Sequence, residues 1–84
     1  MIIIFTKHAD EKFAMLARHG VRVSRDKVIK TVKETRYIDY SRLPLLIAQS
    51  ALDKNRVLRV VYKIEEDKIK IITFYPGRKS QYEK

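Results

Sequence analysis

The alternation between Arg56 and Tyr75 constrains this chain more than any other stretch. Leu58, Val60, Tyr62 and Ile64 fall on one face of an extended segment, and Val57, Arg59, Val61 and Lys63 fall on the other, the period of a half-buried strand. Glu65, Glu66 and Asp67 interrupt the pattern, and the residues from Lys68 onward resume it. A two-residue turn at Glu66 and Asp67 sets Ile64 opposite Ile69, Tyr62 opposite Ile71, Val60 opposite Thr73 and Leu58 opposite Tyr75. A three-residue turn would set Tyr62 opposite Lys70 and mix apolar with charged positions. The shorter turn is therefore preferred, because a slip of one residue turns every side chain over. Its register gathers Arg59, Lys63 and Lys70 with Val61, Ile72 and Phe74 on the second face. Pro76 reads as the end of the strand, since it has no N–H to give the ladder. Gly77 reads as a turn, and Arg78, Lys79 and Tyr82 extend the basic face.

The remaining chain supplies elements to pack against this hairpin. Ile2 to Phe5 is a strand, read as central because it is apolar on both sides. Thr6 caps a helix running from Lys7 to His19, with Ala9, Phe13, Leu16 and Ala17 as its buried stripe and Gly20 as its stop. His8, Lys12, Met15 and His19 form a second stripe beside the first. On that flank a histidine could exchange a proton near neutral pH. His19, next to the terminating glycine, reads first as a cap, where a cation complements the helix dipole. His8, in the first turn, also has a structural reading.

Ser24 caps a second helix reaching about Thr35, with Val28, Ile29 and Val32 inward. Asp26 with Lys30, and Lys30 with Glu34, are spaced as intrahelical ion pairs on a solvated face. Arg36 to Tyr40 is a short strand, Ser41 to Pro44 its connection, and Leu45 to Leu52 the next strand. A turn at Lys54 and Asn55 would send Gln49 to the core, whereas a longer one would send Leu46, Ala48, Ser50 and Leu52 there. The longer turn is preferred, because an inward Gln49 needs a buried hydrogen-bond partner. The order β-α-α-β-β-β-β predicts an α+β domain, with two helices packed on one face of a small, mainly antiparallel sheet.

With 84 residues there is room for one domain, 1–84, and a modest core. No apolar run is long enough to span a membrane. The segment after Met1 lacks the basic start and small-residue cleavage site of a signal peptide. Cysteine is absent, which removes disulfides and thiolate metal sites and fits a cytoplasmic location. Nineteen Lys and Arg against ten Asp and Glu leave a net charge of +9, which favours a polyanion, nucleic acid first. The basic residues are spread without a polybasic block, so a membrane surface is disfavoured. An acidic protein partner is the alternative.

An open sheet face carrying Arg59, Lys63, Lys70 and Phe74 can hold phosphates and stack a base. Lysine stems covering Val61 and Ile72 are the plainer account of the same residues. No carboxylate pair, nucleophile elbow, glycine-rich phosphate loop or metal-ligand cluster offers other chemistry, so no metal or cofactor is expected.

Several short segments resemble known families. Arg18-His19-Gly20-Val21-Arg22-Val23 resembles the KHGVSF-type segment of BrnT toxins, and Ile69-Lys70-Ile71-Ile72-Thr73 resembles their RIIS strand. Thr6-Lys7-His8-Ala9 with the later VLRVVY strand is similar to short uncharacterised bacterial and archaeal domains grouped near BrnT, RelE and ParE. The resemblance implies the BECR ribonuclease fold and a toxin that cleaves messenger RNA, free or on the ribosome, without a metal, and is silenced by an antitoxin protein. It implies catalytic roles for His8, Arg78 and Tyr82 and phosphate contacts for Lys63 and Lys70, while the basic face itself adds Arg59, Phe74 and Lys79 at the substrate. Where BrnT proteins carry an arginine directly after the RIIS strand, this chain has Tyr75 and Pro76. Such cleavage uses the RNA 2′-hydroxyl and needs a base, an acid and cations around the phosphate. His8 or Tyr82 would be the base, and Arg78 with Lys63 and Lys70 the clamp. Because ParE relatives share the fold and act on a protein, a binding module without catalysis is the alternative.

Overall fold

A computed structural model describes residues 2–82 as β1 (Ile2–Phe5), α1 (Lys7–Arg18), α2 (Arg25–Glu34), β2 (Tyr37–Asp39), β3 (Leu46–Ala51), β4 (Arg56–Glu65), β5 (Lys68–Arg78) and the single-turn α3 (Lys79–Tyr82). The class is α+β, with one open five-stranded sheet in the order β1-β5-β4-β3-β2. β2 to β5 pair antiparallel with their neighbours, and β1 joins β5 in parallel. No helix among the described residues is long and apolar enough to cross a membrane.

Local chemistry sets the helix ends as expected. The Thr6 side chain accepts from the Ala9 N–H and that of Ser24 from the Lys27 N–H, each satisfying a donor that the helix cannot. His19 is the C-cap of α1, its N–H turned back to Ala17 and Leu16, and Gly20 follows at φ +80, where a side chain would be strained. Ala9 and Leu16 of α1 and Val28 and Val32 of α2 bury against Ala48, Leu58, Val60, Tyr62, Ile69 and Ile71, so both helices cover one face. Ala17 is exposed instead of buried. Thr31 is buried in its own right, bonded to the Lys27 carbonyl and, at 2.7 Å, to Ser50. Among the described residues Asp26, Lys30 and Glu34 form no ion pair with one another. The helices are tied by Arg25, which pairs with Asp10 and lies over the rings of Phe5 and Phe13.

The hairpin turn is the one read from the sequence, and half of its register holds: Ile64 faces Ile69 and Tyr62 faces Ile71. The ladder then shifts, so that Val61 faces Thr73, Val60 faces Phe74 and Arg59 faces Tyr75. Ile72 is the extra residue of a bulge. Its carbonyl accepts the Thr6 hydroxyl at 3.1 Å, so the cap of α1 also satisfies the kink in β5. The shift turns Phe74 inward, fully buried and 4.6 Å from the Phe13 ring. This overturns its placement on the open face.

Three further readings change. β1 is an edge strand, not a central one, and leaves Ile2 and Ile4 exposed. β5 continues through Pro76 and Gly77 to Arg78. This is tolerated because β1 ends opposite Ile71, so β5 is itself an edge from there on and loses no ladder bond to the missing N–H. Finally, α3 folds back over β4 and β5. The β3 facing follows the longer turn, with Leu46, Ala48 and Leu52 toward the helices.

Candidate functional site

The strand register builds a row across the sheet face away from α1 and α2: Tyr37, Gln49, Arg59 and Tyr75 are successive partners on β2, β3, β4 and β5. Arg59, at 4% exposure, is the centre of the row. Its Nη1 donates to Gln49 Oε1 at 2.5 Å, its Nη2 to Asp39 Oδ2 at 2.9 Å and its Nε to the Tyr75 hydroxyl at 3.1 Å. Desolvation of a guanidinium is offset only by such hydrogen bonding at every nitrogen and a counter-charge. Asp39 is held ionised, its pKa lowered to about 2, first by hydrogen bonds from Ser41 and then by the Arg59 guanidinium.

α3 closes this cluster from outside. The Tyr82 ring stacks over the Arg59 guanidinium, 4.1 Å from atom to centroid, a cation–π contact. It also rests on Gly77, where any Cβ would overlap the ring. The result is a groove of about 800 Å³ whose lining includes Tyr37, Asp39, Gln49, Arg59, Gln81 and Tyr82. Tyr37 is exposed on its rim, so the groove offers aromatic surface above a floor of satisfied polar groups.

The expected site residues therefore separate into groups. Arg59 has each of its three guanidinium nitrogens bonded within the sheet and is not a free phosphate ligand, and Phe74 belongs to the core. Lys63 and Lys70 are cross-strand partners sharing Glu65, at 3.0 and 3.7 Å. Both are half-exposed, and the trio keeps one positive charge in excess. Arg78, Lys79 and Tyr82 stand together around α3. His8 does not join them: its Nε2 is 3.1 Å from the Thr73 hydroxyl. Thr73 lies several residues up β5 from Arg78, roughly 16 Å away at strand rise.

Asp39, Gln49, Tyr37 and Tyr75 were missed as site members. The available signal was the mid-strand glutamine, which demanded a partner wherever it pointed. Among the described residues no group of His, Asp and Glu is placed to hold a metal ion. No family model, curated protein or solved structure matches the chain.

Proposed function

We propose that the chain binds single-stranded RNA across the α3 end of the sheet, with bases stacked on Tyr82 and Tyr37 and phosphates met by Arg78 and Lys79. The observation that carries this reading is the Tyr82 ring, fixed over Arg59 in an open groove, with Arg78 and Lys79 at the start of the turn that Tyr82 ends. A ring held in this way is a stacking surface that needs no reorganisation, and stacking is tolerant of base identity. The net charge of +9 favours the polyanion over other partners. The α+β sheet with helices on one face is compatible with the RelE and BrnT resemblance of the short motifs.

A second reading, a metal-independent endoribonuclease toxin held in check by an antitoxin in the cytoplasm, is favoured by Arg78 directly before, and Tyr82 at the end of, the same helical turn. In that reading Arg78 stabilises the crowded phosphate and the Tyr82 hydroxyl moves the proton. His8 has no part in it. The test is binding and cleavage of labelled RNA, with and without EDTA. Binding should survive Tyr82→Phe and fall on Tyr82→Ala by about 1–3 kcal/mol, the worth of one stacked base. Cleavage in EDTA that is abolished by Tyr82→Phe and Arg78→Ala but kept by His8→Ala would establish the nuclease reading. Absence of any RNA binding at low salt overturns both and leaves a protein target of the ParE kind.

A further inference from the structure

A second concavity of about 700 Å³ lies at the start of α3, lined in part by Asp53, Lys54, Asn55, Arg56, Arg78 and Lys79. The register sets Arg56 directly opposite Arg78 at the end of the β4–β5 ladder. Like charges so placed repel unless an anion lies between or beside them. Asp53 serves one of the two: its Oδ2 takes Arg56 Nε at 2.7 Å and Nη2 at 2.6 Å. Its Oδ1 accepts the N–H groups of Asn55 and Arg56, so this carboxylate is committed to the turn. These hydrogen bonds, that of Arg56 first, hold its pKa below the usual carboxylate value.

Arg78, Lys54 and Lys79 have no ion-pair partner among the described residues. The cluster keeps three positive charges in excess of its one lining carboxylate. It is also a held arrangement. The Lys79 N–H donates to the Asn55 carbonyl at 2.9 Å, which fastens the β3–β4 loop to the end of β5.

We propose that this concavity binds the terminal phosphate monoester of an RNA strand, a specification that rests on the RNA reading above. A phosphodiester carries one negative charge and a monoester close to two, so the charge excess matches the dianion better. The Arg78 guanidinium, beside the Arg56 Nη1 that the Asp53 bonds leave over, suits the several oxygens of a terminal phosphate. The volume suits a group of nucleotide size. α3, which separates this concavity from the Tyr82 groove, is one turn of about 6 Å. A strand end seated among the arginines would lie at the opposite end of that turn from Tyr82.

The test uses 2′-O-methyl hexanucleotides, which cleavage through a 2′-hydroxyl cannot consume, carrying a 5′-phosphate, a 3′-phosphate or neither, titrated calorimetrically into the whole chain. One phosphorylated form should bind about tenfold tighter than the unphosphorylated one, the worth of a charge-assisted hydrogen-bond pair. The preference should vanish in Arg78→Ala and in Arg56→Gln, with folding checked by circular dichroism, and persist in Lys33→Ala on α2. Equal binding of all three oligonucleotides overturns the phosphate site and leaves the RNA reading standing. If none binds, yet inorganic phosphate raises the Tm of wild type and not of Arg78→Ala at matched ionic strength, the RNA reading falls and the site serves a free phosphate. If neither occurs, both fall.

Discussion

Arg59 shows how one side chain can change its meaning between sequence and structure. In an alternating strand it reads as a solvated cation, and in the fold it is almost fully buried with donors on Asp39, Gln49 and Tyr75. Those partners lie on three other strands, so no local spacing around Arg59 announces them. Removing the counter-charge should therefore be expensive: Asp39→Ala is expected to cost roughly 3–5 kcal/mol in urea denaturation at pH 7, the cost of leaving a buried charge unpaired. The pH dependence has a definite sign. Because the Asp39 pKa is lowered from 3.8 to about 2 on folding, its stabilisation is complete above about pH 4 and lost as pH falls toward 2. The gap in stability between wild type and Asp39→Asn should close over that interval. With Arg59→Met part of the dependence should persist, since the Ser41 hydrogen bonds are the larger cause. Gly77 is a second such residue. In Gly77→Ala the added methyl would displace the Tyr82 ring, a side chain that can turn away where a backbone neighbour could not. Global stability should change by less than about 1 kcal/mol, because alanine is favoured over glycine in a strand. Loss of the ring-current shift at the Arg59 Nε proton, read by NMR, would show that Tyr82 has left.

At the scale of elements, the features set by neighbouring residues were legible and those set by distant ones were not. Both N-caps, the glycine stop of α1 and the turn at Glu66 and Asp67 follow from chemistry within a few residues, and all are found. The facing of β3 followed because an inward Gln49 would have required a buried partner, and its outward position found one in Arg59. The bulge at Ile72 left no mark, since Ile72, Thr73 and Phe74 alternate acceptably in either register. The groups that meet it are the Thr6 hydroxyl on the Ile72 carbonyl and the Phe13 ring on Phe74, both distant in sequence. The edge position of β1 was hidden for the same reason, as strand order is decided by packing and the triple isoleucine reads as doubly buried. The bulge has a direct energetic signature. Phe74→Ala should cost about 3–5 kcal/mol, as for any buried aromatic, whereas a phenylalanine on an open sheet face would lose only a few tenths on truncation. A denaturation midpoint close to wild type would mean the ladder runs unshifted and Phe74 points outward.

For the molecule as a whole, the decisive quantity is where the +9 charge remains uncompensated. Described carboxylates pair with Arg25, Arg56, Arg59, Lys63 and Lys70, and among the cations without such a partner Lys54, Arg78 and Lys79 gather around α3 beside an aromatic groove. A ligand held by these three should release about two counterions, so the logarithm of its affinity should fall with the logarithm of salt with a slope near −2, at about −0.7 per phosphate neutralised on a single strand. Arg78→Ala should reduce that slope by about 0.7 and leave stacking on Tyr82 in place. The comparison separates a site from a general attraction. A diffuse field over nineteen cations would give a much steeper slope that a single substitution barely alters, and an apolar protein interface would give a slope near zero. Anisotropy titrations of a labelled hexanucleotide between about 50 and 200 mM salt, on wild type, Arg78→Ala and Tyr82→Ala, distinguish the three. Only the local site predicts that the first substitution changes the slope while the second lowers affinity equally at every salt concentration.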